Sequence, residues 1–206
     1  LYGIAIAGLG VLGVLGINLS GDCYGPIADN AAGISEMAGL PPEVRQKTEA
    51  LDAVGNTTAA TGKGFAIGSA ALVALAWLAA FFQKANLEII SISEPKVLAS
   101  LFIGAMISFL FPSLLIKGVS RGALETIKEV RRQFKEIPGL KEGKGRPEYG
   151  RCIDLITRIS LRQMLLPGFL IILIPILVGR FLGAGGLAGF LAGSLIVGFP
   201  IALIMA

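Results

Sequence analysis

The chain has no histidine and only two cysteines among its 206 residues, and 16% of it is charged. Cys23 and Cys152 are too few for a disulfide framework, and without histidine they cannot build a zinc site, so both read as incidental free thiols. A starting Met and a basic leader are also missing: the sequence opens inside an apolar run, which is expected of a truncated chain rather than of a secreted one. No soluble domain, low-complexity tract or internal repeat is evident. The net charge of +4 does not imply nucleic acid as a partner, because the excess lies in one loop beside apolar runs.

Apolar residues, by contrast, make up 54% of the chain, and the mean hydropathy is +0.76. Uncharged runs recur at membrane-spanning length, which excludes an ordinary soluble domain. Residues 1–19 carry no charge, and at 1.5 Å each they reach about the 30 Å of a hydrocarbon core. Further spans are expected over about 64–82, 97–116, 164–178 and 186–206. The fold class is all-α: a polytopic membrane helix bundle of about five crossings, treated as one transmembrane domain over 1–206. Glycines at 8, 10, 13 and 16, and again at 185, 189 and 193, would let backbones approach closely where no hydrophobic effect drives helices together. Kinks are expected at Gly25-Pro26, Pro167 and Pro175.

Beyond Lys117 the apolar positions Val119, Ala123, Ile127, Val130, Phe134 and Ile137 recur at steps of three and four. This marks an amphipathic helix stopping at Pro138-Gly139, the first arm of a helical hairpin whose second arm starts near Arg151. Fifteen of the eighteen Lys and Arg residues fall in segments 20–63 and 117–163, so the positive-inside rule puts both on the cytoplasmic side.

Segment 22–69 organises the rest. Asp22, Asp29 and Glu36 stand seven residues apart and share a helix face; after the Leu40-Pro41-Pro42 break, Asp52, Asn56 and Lys63 share another. Carboxylates without histidine suit a hard cation such as Mg²⁺, and a lysine beside an amide suits the phosphate that such a cation brings. A solvated hairpin between two spans is the bland alternative. Asp22 lies about 10 Å deeper than Asp29 along a span, where an idle carboxylate is costly.

The segments DCYGPIADNAAGISEM (22–37) and LDAVGNTTAATGKGFAIGSAAL (51–72) resemble the membrane-bound, ion-translocating inorganic pyrophosphatases, and EVRRQFKEIPGL (129–140) resembles them more loosely. The resemblance implies a pump that hydrolyses pyrophosphate with Mg²⁺ and moves H⁺ or Na⁺. The family carries about sixteen spans and further Asp-rich signatures, so this chain is expected to be a C-terminal-half fragment that depends on the remainder of its polypeptide and is inactive alone. A homodimer in a lipid bilayer, in a prokaryotic cell membrane or its vacuolar counterpart, is also implied.

For individual residues the resemblance implies that Asp29 holds metal-pyrophosphate and that Lys63 contacts the substrate, both as catalytic groups. Asn56 binds phosphate or the attacking water, and Asp52 is a further metal ligand unless it only caps a helix. Asp22 belongs to the ion-coupling path. Family members that work without potassium have lysine where Ala59 stands, so Ala59 and Gly62 imply K⁺ stimulation. Glu36 reads as structural, and Glu129, Arg132 and Glu136, spaced for intrahelical pairs, read as a solvated face. Two other readings stay open: a cation transporter or channel subunit in which Asp22 and Asp29 bind the ion without hydrolysis, and a scaffold piece of a larger complex.

Overall fold

Proline and glycine positions set the element boundaries. The computed structural model describes residues 2–206; Leu1, the first residue of the span expected over 1–19, lies outside the described residues. Five helices follow one another: α1 (Tyr2–Leu12), α2 (Leu15–Met37), α3 (Pro42–Lys84), α4 (Pro95–Glu136) and α5 (Tyr149–Met205). There is no strand among the described residues. Pro42 and Pro95 each open a helix at its first position, where a missing N–H costs nothing and φ is already set. Glycine at 39, with φ of 63°, ends α2 in a left-handed turn in which Leu40 N donates to the Ser35 carbonyl at 3.1 Å.

The breaks inside the apolar runs do not all fall at proline. The first span bends by 44° at Gly13-Val14, between α1 and α2, whereas α2 continues as helix through Pro26. In α5 the non-helical residue is Gly183 (φ 75°, ψ −172°), and Pro167 and Pro175 lie within the helical run. The interruptions of helical backbone thus fall at Gly13-Val14 and Gly183, while Pro26, Pro167 and Pro175 lie inside helices. Proline removes one helix bond, which neighbouring helices can make good, while glycine alone tolerates the backbone angles of Gly183.

The chain forms two compact units, one of Leu1–Ile89 with Leu195–Ala206, the other of Ile90–Ser194. In the first unit α2 and α3 make an antiparallel hairpin whose contact line is built of residues without bulk. A Cβ on Gly55 would stand 2.9 Å from the Gly25 Cα, and one on Gly25 would stand 3.2 Å from the Gly55 carbonyl oxygen. Gly21 faces Thr58, and α1 continues the seam with Gly8 against Val73. Across the turn Arg45 pairs with Glu36 at 3.0 Å, and within α3 it pairs with Glu49 at 2.7 Å, so Glu36 ties the hairpin ends together.

In the second unit the late part of α4 and the early part of α5 run antiparallel. Gly118 meets Gln163, and Gln133 meets Glu148 and Cys152. The early part of α4 pairs instead with the last part of α5, Val97 against Gly189 and Leu101 against Gly193, and here residue numbers rise together. Since α4 is one helix, α5 must reverse direction at Gly183. Its 57 residues thus supply two crossings rather than one helix of about 85 Å. The close-packing glycines are 186, 189 and 193, all buried, rather than the evenly spaced 185, 189 and 193.

Helices α3, α4 and α5 are each long and apolar enough to cross a membrane, and the bent pair α1–α2 qualifies as one more. With the reversal at Gly183 this agrees with about five crossings. Large apolar side chains such as Trp77, Phe102 and Leu165 stay exposed, as they do where lipid or further apolar helices, not water, form the surroundings.

Candidate functional site

The α2–α3 hairpin carries every candidate site residue, and its register follows from the glycine contacts. Asp22 lies against Gly62, Gly21 against Thr58, and Gly25 against both Ala59 and Gly55, so the two helices run antiparallel with a register defined to within about a turn. Asp29 consequently falls opposite the turn of α3 that holds Asp52, and Lys63 follows Gly62, the residue under Asp22. Along the hairpin axis the Asp22 level next to Lys63 is about 10 Å from Asp29, seven residues of α2 at 1.5 Å. The amine and the outer aspartate are therefore not side by side in this chain.

Near the turn, Asp52 is half-buried and its Oδ1 accepts a hydrogen bond from Asn56 Nδ2 at 3.2 Å. One helical turn separates the two, which makes this pair a product of α3 alone. Asp29 is exposed, and its neighbour Ala28 fills the contact with Gly55. Asn30 folds back on its own helix, donating to the Pro26 carbonyl at 2.8 Å. Two carboxylates and an amide thus lie on facing turns near this end of the hairpin. No group of three or more Asp, Glu or Cys residues able to hold a metal occurs among the described residues.

At the deeper level Lys63 is exposed and donates from Nζ to the Ala206 carbonyl oxygen at 3.0 Å. Ala59 lies in the interface, 3.7 Å from where a Gly25 Cβ would stand. Asp22 is half-buried over Gly62, and its Oδ1 is buried without a hydrogen-bond partner. Tyr24 spans the hairpin by donating to the Leu51 carbonyl at 3.3 Å. Sequence reasoning did not single out Gly21, Gly25 or Gly55 as the residues that set this register. The signal was present in the small residues Gly55, Gly62 and Ser69, spaced by seven along α3 and all buried.

A second polar centre joins α4 to α5 well past the end of the span at Ile116. Glu129 is buried and receives both Nε and Nη2 of Arg132, at 2.9 and 2.7 Å, together with Gln133 Nε2 at 3.0 Å and Arg151 at 3.3 Å. The Arg132 guanidinium, followed by the Gln133 amide, holds the Glu129 carboxyl well below the usual carboxylate range. Gln133 also accepts from the Glu148 N–H at 2.9 Å. These bonds clamp the two arms of the hairpin, so Glu129 and Arg132 are not part of a solvated face: Glu129 is buried and Arg132 reaches Glu148 across the hairpin.

The family model described as inorganic H⁺ pyrophosphatase matches residues 1–206. A protein of Methanosarcina mazei named K(+)-insensitive pyrophosphate-energized proton pump is 51% identical over all of this chain and 31% of its own length. One of Moorella thermoacetica named K(+)-insensitive pyrophosphate-energized proton pump 2 is 46% identical over 100% of the chain and 31% of its own length. A third, from Thermotoga maritima, named K(+)-stimulated pyrophosphate-energized sodium pump, is 45% identical over 100% of the chain and 30% of its own length. The chain thus spans a little under a third of the length of these relatives. Its apolar helices and these likenesses make it an integral, multi-pass membrane protein. By a match that runs from the first residue to the last, the chain belongs to the inorganic H⁺ pyrophosphatase family.

Proposed function

We propose that this chain is part of an ion pump that hydrolyses pyrophosphate to phosphate and couples the reaction to movement of H⁺ or Na⁺, in a prokaryotic cell membrane and as a homodimer. The observation that carries the reading is the α2–α3 hairpin, which sets the turn of α2 bearing Asp29 opposite the turn of α3 bearing Asp52, with Asn56 bonded to Asp52. The alternative of a non-hydrolytic cation transporter or channel subunit has no comparable support, since the relatives are named as pyrophosphate-energized pumps.

Mg²⁺ fits this end of the hairpin in part. It prefers oxygen donors and is commonly bound by one or two carboxylates together with substrate phosphates, which is what Asp29 and Asp52 offer. When bound, the ion would neutralise phosphate charge and polarise the phosphoryl oxygens. Asn56 orients phosphate or the attacking water through its amide. Lys63, deeper in the hairpin, adds positive charge and three donors for phosphate oxygens. Its bond to the Ala206 carbonyl must then be exchanged for one to substrate. The groups that activate the water lie in other parts of the protein, and Asp22 belongs to the ion path.

Ala59 supports K⁺ stimulation. A lysine at this position would bring an ammonium into the α2–α3 interface and replace a monovalent cation. Phosphate release by the full-length protein, measured with Mg²⁺ and with or without K⁺, tests the reading. Mg²⁺-dependent release stimulated by K⁺ is expected, and the 206 residues alone should release none.

A further inference from the structure

The second unit gathers positive charge on one side of the α4–α5 seam. Gly118 and Gly122 of α4 meet Gln163 and Ile159 of α5, which lie 3.0 Å and 3.9 Å from where the glycine Cβ atoms would stand. Lys117, Arg121, Arg158 and Arg162 each precede one of these four contact residues by a single position. One position turns a helix by about 100°, and because the two helices are antiparallel here, the same offset brings all four cations to one side. The other side agrees: Val119, Ala123, Ser160 and Met164, each one position after a contact residue, line a single groove together with Ile127 and Ile156.

Little in the chain neutralises this strip. No acid occurs between positions 97 and 124 or between 155 and 206. The two flanking acids are engaged, Glu125 with Lys128 at 2.6 Å and Asp154 with Arg158 at 2.9 Å. Lys117, Arg121 and Arg162 are exposed and meet no carboxylate among the described residues. Residues 97–116 and 163–179 carry no charge, so Lys117 and Arg162 each stand where an apolar run gives way to water. Through the facing pairs the three cations cover about 6 Å of the seam, four residues of α4 at 1.5 Å. That matches the roughly 5–7 Å of headgroup layer outside the hydrocarbon core.

We propose that Arg121 and Arg162, with Lys117, bind the phosphate of an anionic phospholipid such as phosphatidylglycerol at the membrane boundary. Basic recesses between membrane helices hold anionic headgroups. Two planar guanidinium forks from neighbouring helices suit phosphate oxygens, and the ammonium adds a third positive charge. On α4 an acyl chain finds Leu110 and Leu114, which share a helix face with Lys117 and Arg121. A zwitterionic lipid would bring its own positive charge to the strip and is disfavoured. An acidic segment from elsewhere in the protein is the competing occupant; lipid is favoured because the strip lies at headgroup depth. The inference does not depend on hydrolysis, and neither does its test.

The experiment is thermal unfolding of the purified full-length protein in detergent micelles, titrated with phosphatidylglycerol, phosphatidylcholine or inorganic phosphate. Ligand binding to the folded state raises the unfolding temperature. Phosphatidylglycerol should stabilise the parent protein, and phosphatidylcholine and inorganic phosphate should not. Arg121→Gln combined with Arg162→Gln should raise the phosphatidylglycerol fraction for half-maximal stabilisation by about 25-fold, about fivefold for each cation lost. Lys141→Gln combined with Lys144→Gln removes the same charge from the exposed hairpin tip and should leave that fraction unchanged. All four side chains are exposed, so both variants keep the fold. Equal stabilisation by the two lipids, equal stabilisation by inorganic phosphate, unchanged half-saturation in the double arginine variant, or the same shift in the tip variant overturns the proposal.

Discussion

Gly55 and Gly25 show how much a single missing side chain decides. With only 2.9 Å between the place of a Gly55 Cβ and the Gly25 Cα, any larger residue must push two backbones apart. Gly55→Val should destabilise the full-length protein by about 1–3 kcal/mol, the usual cost of overpacking, seen as a lower unfolding temperature. Ala59 faces the same seam, and Ala59→Lys should abolish the K⁺ requirement for phosphate release; an unchanged K⁺ response would contradict its role. Residue types and spacing were legible in advance for Asp22, Asp29, Asp52, Asn56 and Lys63. Their mutual levels were not. Periodicity fixes faces within one helix, but the offset between two helices is set by which small residues meet, and that is a pairing no single helix records.

At the scale of elements, the boundaries at Pro42 and Pro95 and the polar connections were readable from local chemistry, and the amphipathic hairpin from its three- and four-residue steps. The breaks within apolar runs were not, because proline inside a membrane helix can be tolerated while a glycine turn leaves little trace among 28 glycines. Gly183 is the instructive case. Its angles (φ 75°, ψ −172°) lie in a region almost confined to glycine, so Gly183→Ala should cost about 1–3 kcal/mol and lower the unfolding temperature. The Glu129 clamp predicts a pH response of the α4–α5 hairpin. Its carboxyl is held down to about 2 in the folded chain, so its stabilising contribution is complete above the ordinary carboxylate pKa. It is lost as pH falls from there towards 2. Glu129→Gln should flatten that acid dependence in hydrogen exchange of residues 125–155.

For the whole molecule, composition alone indicated a multi-pass helical membrane protein, since so apolar a chain with so few charges has no other solvent to suit it. The function was legible only from the wording of two segments, because carboxylates at helical spacing are equally compatible with an idle hairpin. The central claim is that Asp29, opposite the turn of α3 that holds Asp52, holds metal-pyrophosphate. Mg²⁺-dependent phosphate release by full-length protein carrying Asp29→Asn tests it most directly. The account predicts a fall of at least about 100-fold with the fold intact, the scale expected when a charge-stabilising group at the reacting centre is lost. Release within about twofold of the parent, a difference too small for the loss of such a group, would contradict it.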